Sequence, residues 1–150
     1  MTPEQRENYL MELEDEYLLG VGGPFSEWSI MLSQEVDTAF RAGADLAAVL
    51  TAQAVIESHL RYEYFDPRES KGWGLYRLVR ELESRLQHET GLIDDLDALR
   101  LYRNKWVHVA DPTDDQHLAE RPEVALREAE EMAILAMRTM VRVLFLEQGV

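Results

Sequence analysis

The sequence predicts an all-α protein, an up-and-down bundle of four to five helices with an additional N-terminal helix. Three observations carry that prediction. Apolar residues recur at three- and four-residue spacings through several long segments, which is the period of one helix face. The five Pro and eight Gly fall mostly between those segments, where they act as breakers. No stretch of about four to eight residues alternates apolar and polar side chains between turn signals, as a half-buried strand would. A chain of 150 residues, 46% apolar, suits one shared core better than two. It divides by this reading into an N-terminal helical extension, residues 1–25, and a helical bundle, residues 26–150.

The elements follow in order. Thr2-Pro3-Glu4-Gln5 sets a capping hydroxyl before Pro at the first helical position, with Gln where a capping box needs it. Leu10, Leu13 and Tyr17 continue that helix, and Gly20-Val21-Gly22-Gly23-Pro24 ends it. Ser26 caps a second helix in which Trp28, Leu32, Val36 and Phe40 form the apolar stripe until Gly43. Asp45 starts a third, with Val49, Gln53, Ile56, Leu60 and Tyr64 on one stripe, and its many Ala make it the centre of the core. Asp66-Pro67 breaks the pattern, and a loop carrying Arg68, Lys71 and Trp73 leads to a fourth helix. That helix turns Leu75, Leu78, Val79, Leu82 and Leu86 inward and stops at Gly91. A fifth, from about Ile93, runs through Leu96, Leu99, Tyr102 and Trp106 to His108, ahead of Asp111-Pro112. After a polar stretch, Pro122 opens a last long helix that buries Ala125, Ala129, Met132, Ala136, Met140 and Val143.

Composition removes several function classes. Twenty-nine acids against fifteen bases give a formal charge of −14, so the surface as a whole repels a polyanion, and a general nucleic-acid coating role is excluded. Without Cys there is no disulfide framework, thiol nucleophile or thiolate zinc site. No metal-binding spacing of His and acids occurs, and neither a metal nor another cofactor is expected. The longest wholly apolar run has six residues, far short of a membrane span, and no leader pattern opens the chain; a cytoplasmic protein is expected. The acidity is uneven. Residues 1–40 hold nine acids and one base, whereas residues 60–108 hold nine of each. A phosphate-bearing ligand would bind in that balanced middle.

The fifth helix closes with Arg103-Asn104-Lys105-Trp106-Val107-His108. An Arg followed by a polar residue and, after four to six intervening residues, by His, late on a bundle helix and just before a loop, resembles the signature of the HEPN superfamily. The helical plan from about residue 26 to residue 146 is similar to that family's bundle as well, and residues 1–25 lie outside the resemblance. The resemblance implies a metal-independent endoribonuclease of the toxin–antitoxin or defence kind. Such an enzyme cleaves RNA, tRNA included, by attack of the 2′-hydroxyl to leave a 2′,3′-cyclic phosphate. It implies a homodimer with both motifs in one cleft, and an antitoxin or other protein partner. The alternative is a non-catalytic HEPN-like module for dimerisation or partner binding. In one branch of the family a Tyr two residues after the His accepts adenylyl groups; here that place is Ala110, so that control is not expected.

The residue types suit the chemistry. His108 can move protons near neutral pH. Arg103 offers a planar, permanently charged fork matched to phosphate oxygens. Asn104 stands four residues before His108, on its helical face. Arg103 and His108 are about 140° apart around the axis, so one copy does not aim both straight at one point; the resemblance implies that two protomers pair around a two-fold axis to bring both groups to one cleft. Lys105 and Arg100 add positive potential. Glu57 and Arg61, one turn apart on the third helix, resemble polar positions that some family members carry beside the cleft, and read equally well as a solvated ion pair. His59, His88 and His117 are given surface or packing roles, Asp94-Asp95 and Asp114-Asp115 helix-start and loop roles, and Met132, Met137 and Met140 core or interface filling.

Overall fold

A computed structural model describes residues 1–17, 25–107 and 121–146 of the chain. The expectations for the Gly-rich break at 20–24, for His108, Ala110, Asp111-Pro112, Asp114-Asp115 and His117 lie outside the described residues. Within them every regular element is helical: α1 (Pro3–Tyr17), α2 (Glu27–Arg41), α3 (Asp45–His59) running into a π-helical turn (Leu60–Tyr64), α4 (Leu75–Arg85), α5 (Thr90–Val107) and α6 (Pro122–Leu144).

The start signals act as their chemistry predicts. Gln5 donates its backbone N–H to Thr2 Oγ1 at 3.1 Å, while Thr2 N–H reaches back to Gln5 Oε1 at 2.7 Å, a complete capping box. Ser26 Oγ accepts from Ser29 N–H at the head of α2, and Pro122 occupies the first turn of α6. Gly43 ends α2 with φ +76°, in the left-handed region that glycine adopts without steric cost.

The core has α3 at its centre. Val49, Ala52, Gln53, Val55, Ile56 and Leu60 are all shut away from solvent, and α3 packs on α2 and α6 and touches α5. Burying each large apolar side chain contributes roughly 1.5–3 kcal/mol, and the small Ala side chains of α3 let α2 and α6 approach it. Leu10 and Leu13 of α1 join the same cluster. A buried Arg6 ties α1 down: its two terminal nitrogens donate to Asp45 at 2.5 and 3.0 Å, and Nη1 also donates to the Phe40 carbonyl at 3.0 Å.

Three expectations on elements are corrected. Trp28 does not share the stripe of Val36 and Phe40; it is 63% exposed. A strict four-residue spacing advances about 40° beyond a full turn at each step, so three steps carry Trp28 off the core face and Ser29 takes the buried place. Gly91 does not stop α4, which ends at Arg85; it lies in the first turn of α5, three residues before Asp94. The third helix does not continue regularly to Tyr64 either. Phe65 N–H bonds the Leu60 carbonyl five residues back at 2.8 Å, a widened turn of the type often found at functional sites.

Candidate functional site

Helix α5 buries Leu92, Ile93, Leu96, Leu99 and Tyr102, which leaves Arg103 at the rim of the core, half in solvent. Its Nη1 donates to Glu57 Oε1 at 2.9 Å. The other Glu57 oxygen lies 3.8 Å from Arg61 Nη2, and that nitrogen donates to the Trp73 carbonyl at 2.7 Å. One carboxylate thus joins a cation from α5 to a cation from the π-helical turn, beside the entry to α4. One turn earlier, Gln53 Nε2 donates to the Leu99 carbonyl at 2.5 Å and holds α3 against α5. Glu57 and Arg61 also line a groove of about 640 Å³, with Trp28, Leu32, Ala54 and Tyr62 supplying its apolar wall.

Of the residues singled out by the sequence, Arg103, Glu57 and Arg61 therefore come together in space. Arg100, one turn before Arg103, faces α4: its Nε lies 3.4 Å from Asp97 Oδ1 and its guanidinium 5.0 Å from the Tyr76 ring. Lys105 turns to α6, where it donates to Glu128 at 3.1 Å. Asn104 is half-buried, without a hydrogen-bond partner among the described residues. Trp106, expected as an anchor in the core or at a dimer seam, is partly buried against the core, its ring 6.3 Å from that of Tyr102.

Sequence reasoning missed a second polar cluster at the other wall of the groove. Glu63 Oε1 accepts from Ser26 N–H at 3.1 Å and from Ser29 Oγ at 3.3 Å, placing a carboxylate at the positive end of α2. Burial alone would raise its pKa, but the hydrogen bonds from Ser26 and Ser29 and the nearby His59 outweigh it and hold the group below its usual range. His59 is buried, with Nδ1 3.0 Å from Glu63 Oε2 though not aligned for a hydrogen bond. Burial lowers its pKa, against the pull of Glu63. The packing role expected of His59 is the observed one; the i,i+4 spacing to Glu63 was the available signal. His88 is exposed. Asp37, in a smaller groove with Phe25 and Met140, is pushed up by burial.

Among the described residues no cluster of three or more His, Cys, Asp or Glu is arranged to hold a metal ion, and no helix is long and apolar enough to cross a membrane. Compared with models of known families, with curated proteins and with solved structures, the chain matches none. Fold and site define a class nonetheless: an all-α bundle in which Arg103 of α5 pairs with Glu57 of α3 beside a groove that Glu57 and Arg61 line.

Proposed function

We propose that the protein is a metal-independent endoribonuclease of HEPN type, active as a homodimer on RNA such as tRNA. One observation supports this reading: Arg103 of the motif pairs with Glu57, which also lies beside Arg61 and with it lines one groove, so three elements contribute to one polar cluster. In the structure Glu57 accepts one hydrogen bond from the Arg103 guanidinium. A substrate phosphate takes its place, and two parallel N–H donations neutralise the charge that grows on the phosphorane. His108 takes the proton of the 2′-hydroxyl; the 2′-oxygen–phosphorus bond forms, the bond to the 5′-oxygen breaks, and a proton is delivered to that leaving oxygen. Products are a 2′,3′-cyclic phosphate and a 5′-hydroxyl. Asn104 orients the ring or the phosphate from the same helix, and a second copy supplies the opposing motif. The setting that this reading implies is a cytoplasmic toxin or defence system with a protein antagonist.

A second reading, the non-catalytic dimerisation or partner-binding module, is favoured by the exposed Trp28 and Met31 on α2 beside the groove, an apolar surface of the kind that marks interaction sites. Total tRNA incubated with purified protein in EDTA separates the two, with Arg103→Ala and His108→Ala alongside, each verified as folded by circular dichroism. Cleavage by the parent chain that both variants lose supports the enzyme. Equal cleavage by all three marks a contaminant and refutes it, and no cleavage by any favours the binding module.

A further inference from the structure

Helix α4 buries Leu75, Leu78, Val79 and Leu82 and turns Tyr76 outward. The Tyr76 ring remains 59% exposed, so it adds little to the core. It is nonetheless held in place by cations. Arg100 of α5 lies 5.0 Å and Arg80 of α4 5.6 Å from the ring centroid, and Asp97 accepts from both guanidinium groups. Arg100, which holds the ring, lies three residues and so about one helical turn before Arg103 on α5, the residue that the ribonuclease reading assigns to phosphate. On the far side of Glu57, Arg61 lies 5.8 Å from the exposed Tyr62 ring, and at the head of α4 Arg77 lies 4.4 Å from the Trp73 ring. Arginines thus lie against aromatic rings on α4, at its head and on the π-helical turn, with the Tyr62 and Tyr76 rings exposed and the Trp73 ring buried. This lies in the part of a −14 chain whose own charge is balanced.

We infer that Tyr76, steadied by Arg80 and Arg100, is a base-stacking subsite for a nucleotide of single-stranded RNA flanking the phosphate at Arg103. The inference rests on the ribonuclease reading of Arg103 and adds how the strand is held. An unpaired base offers a π face to a ring or a guanidinium plane, while its phosphate is drawn to the arginines alongside. A duplex hides those faces within its own stack, so the subsite selects loops and single strands. It also answers the charge of the chain, because stacking gives affinity that does not depend on counterion release.

The test uses a fluorescein-labelled single-stranded 2′-O-methyl RNA, which has no 2′-hydroxyl to attack, titrated with the full chain and followed by anisotropy. Tyr76→Ala is expected to weaken binding roughly 5- to 150-fold, as removal of one stacked base does, while Tyr76→Phe and Tyr76→Trp stay within about twofold because the ring carries the contact. Unchanged binding by Tyr76→Ala, an equal fall in Tyr76→Phe, or no binding by the parent chain overturns the subsite. The tRNA cleavage assay run in parallel separates the two proposals. Arg103-dependent cleavage with Tyr76-independent binding refutes the subsite alone. Tyr76-dependent binding without cleavage refutes the nuclease alone.

Discussion

Glu57→Gln is the most informative single substitution, because Glu57 accepts from the Arg103 guanidinium that the ribonuclease reading assigns to the substrate phosphate. Glutamine keeps the volume and one acceptor oxygen and removes the charge. The Arg103 side chain is 37% exposed and that of Glu57 20%, so water screens the pair, and its worth is about 0.2–1 kcal/mol. That figure has two consequences of opposite sign. Folding stability, measured by urea unfolding, should fall by up to about 1 kcal/mol. Affinity for single-stranded RNA, measured by anisotropy, should rise by up to about fivefold, since the phosphate no longer displaces a carboxylate. Both differences should shrink from about 0.05 to about 0.5 M salt, as the screening length shortens. A folded Glu57→Gln protein that binds RNA more weakly than the parent would refute the reasoning: Glu57 would then hold the fork in its working position instead of competing for it.

Two further outcomes test the surrounding structure. Arg6→Ala leaves the Asp45 carboxylate and the Phe40 carbonyl without their buried donor and should cost about 3–5 kcal/mol, seen as a drop of roughly 6–20 °C in Tm; a loss below about 1 kcal/mol would show that α1 is dispensable to the bundle. His59 is held neutral by burial, below its ordinary value of 6.5, so the unfolded chain binds its proton at a higher pH than the native one does. Its stability contribution is therefore complete above about pH 6.5 and is lost as the pH falls below it. The urea midpoint should decline between about pH 7 and about pH 5, and His59→Gln should flatten that decline.

Helix identity was legible in this sequence wherever a local signal carried it. The Thr2 and Ser26 caps, the Gly43 stop and the Pro122 start each depend on bonds or angles within a few residues, and all stand as their chemistry dictates. The misplacements share a cause. Trp28 fits a four-residue spacing, yet its burial depends on the accumulated drift around the helix and on which neighbour lies opposite. Gly91 is permissive enough to fit either a helix end or a first turn. For the candidate site, the motif pointed to Arg103 and the helical period to Glu57 and Arg61 as neighbours on one face. That a carboxylate 46 residues away accepts from the Arg103 guanidinium is a tertiary fact without local signature, as is the bonding of Glu63 to the head of α2.

The negative charge of the chain, which argues against a polyanionic ligand, takes a different meaning once its placement is known. Acids of α1 are matched with bases of distant elements, Glu7 with Arg41 of α2 and Glu16 with Arg138 of α6, and Asp95 of α5 takes up Arg142. The bases of α2 and α6 that meet these acids serve contacts between helices, while Glu4, Glu12, Glu14 and Asp15 of α1 remain exposed. On α4 the balance reverses. Arg77 and Arg85 have no acid partner among the described residues and lie over the Trp73 and Phe65 rings at 4.4 and 4.6 Å. A strand approaching the α1 side meets repulsion, and one approaching α4 and α5 meets cations beside aromatic rings. The field falls off within about 8 Å at physiological salt, so, on the ribonuclease reading, the acids elsewhere scarcely weaken a strand held at α4. Their effect is on orientation, excluding wrong approaches more than reducing the affinity of the right one.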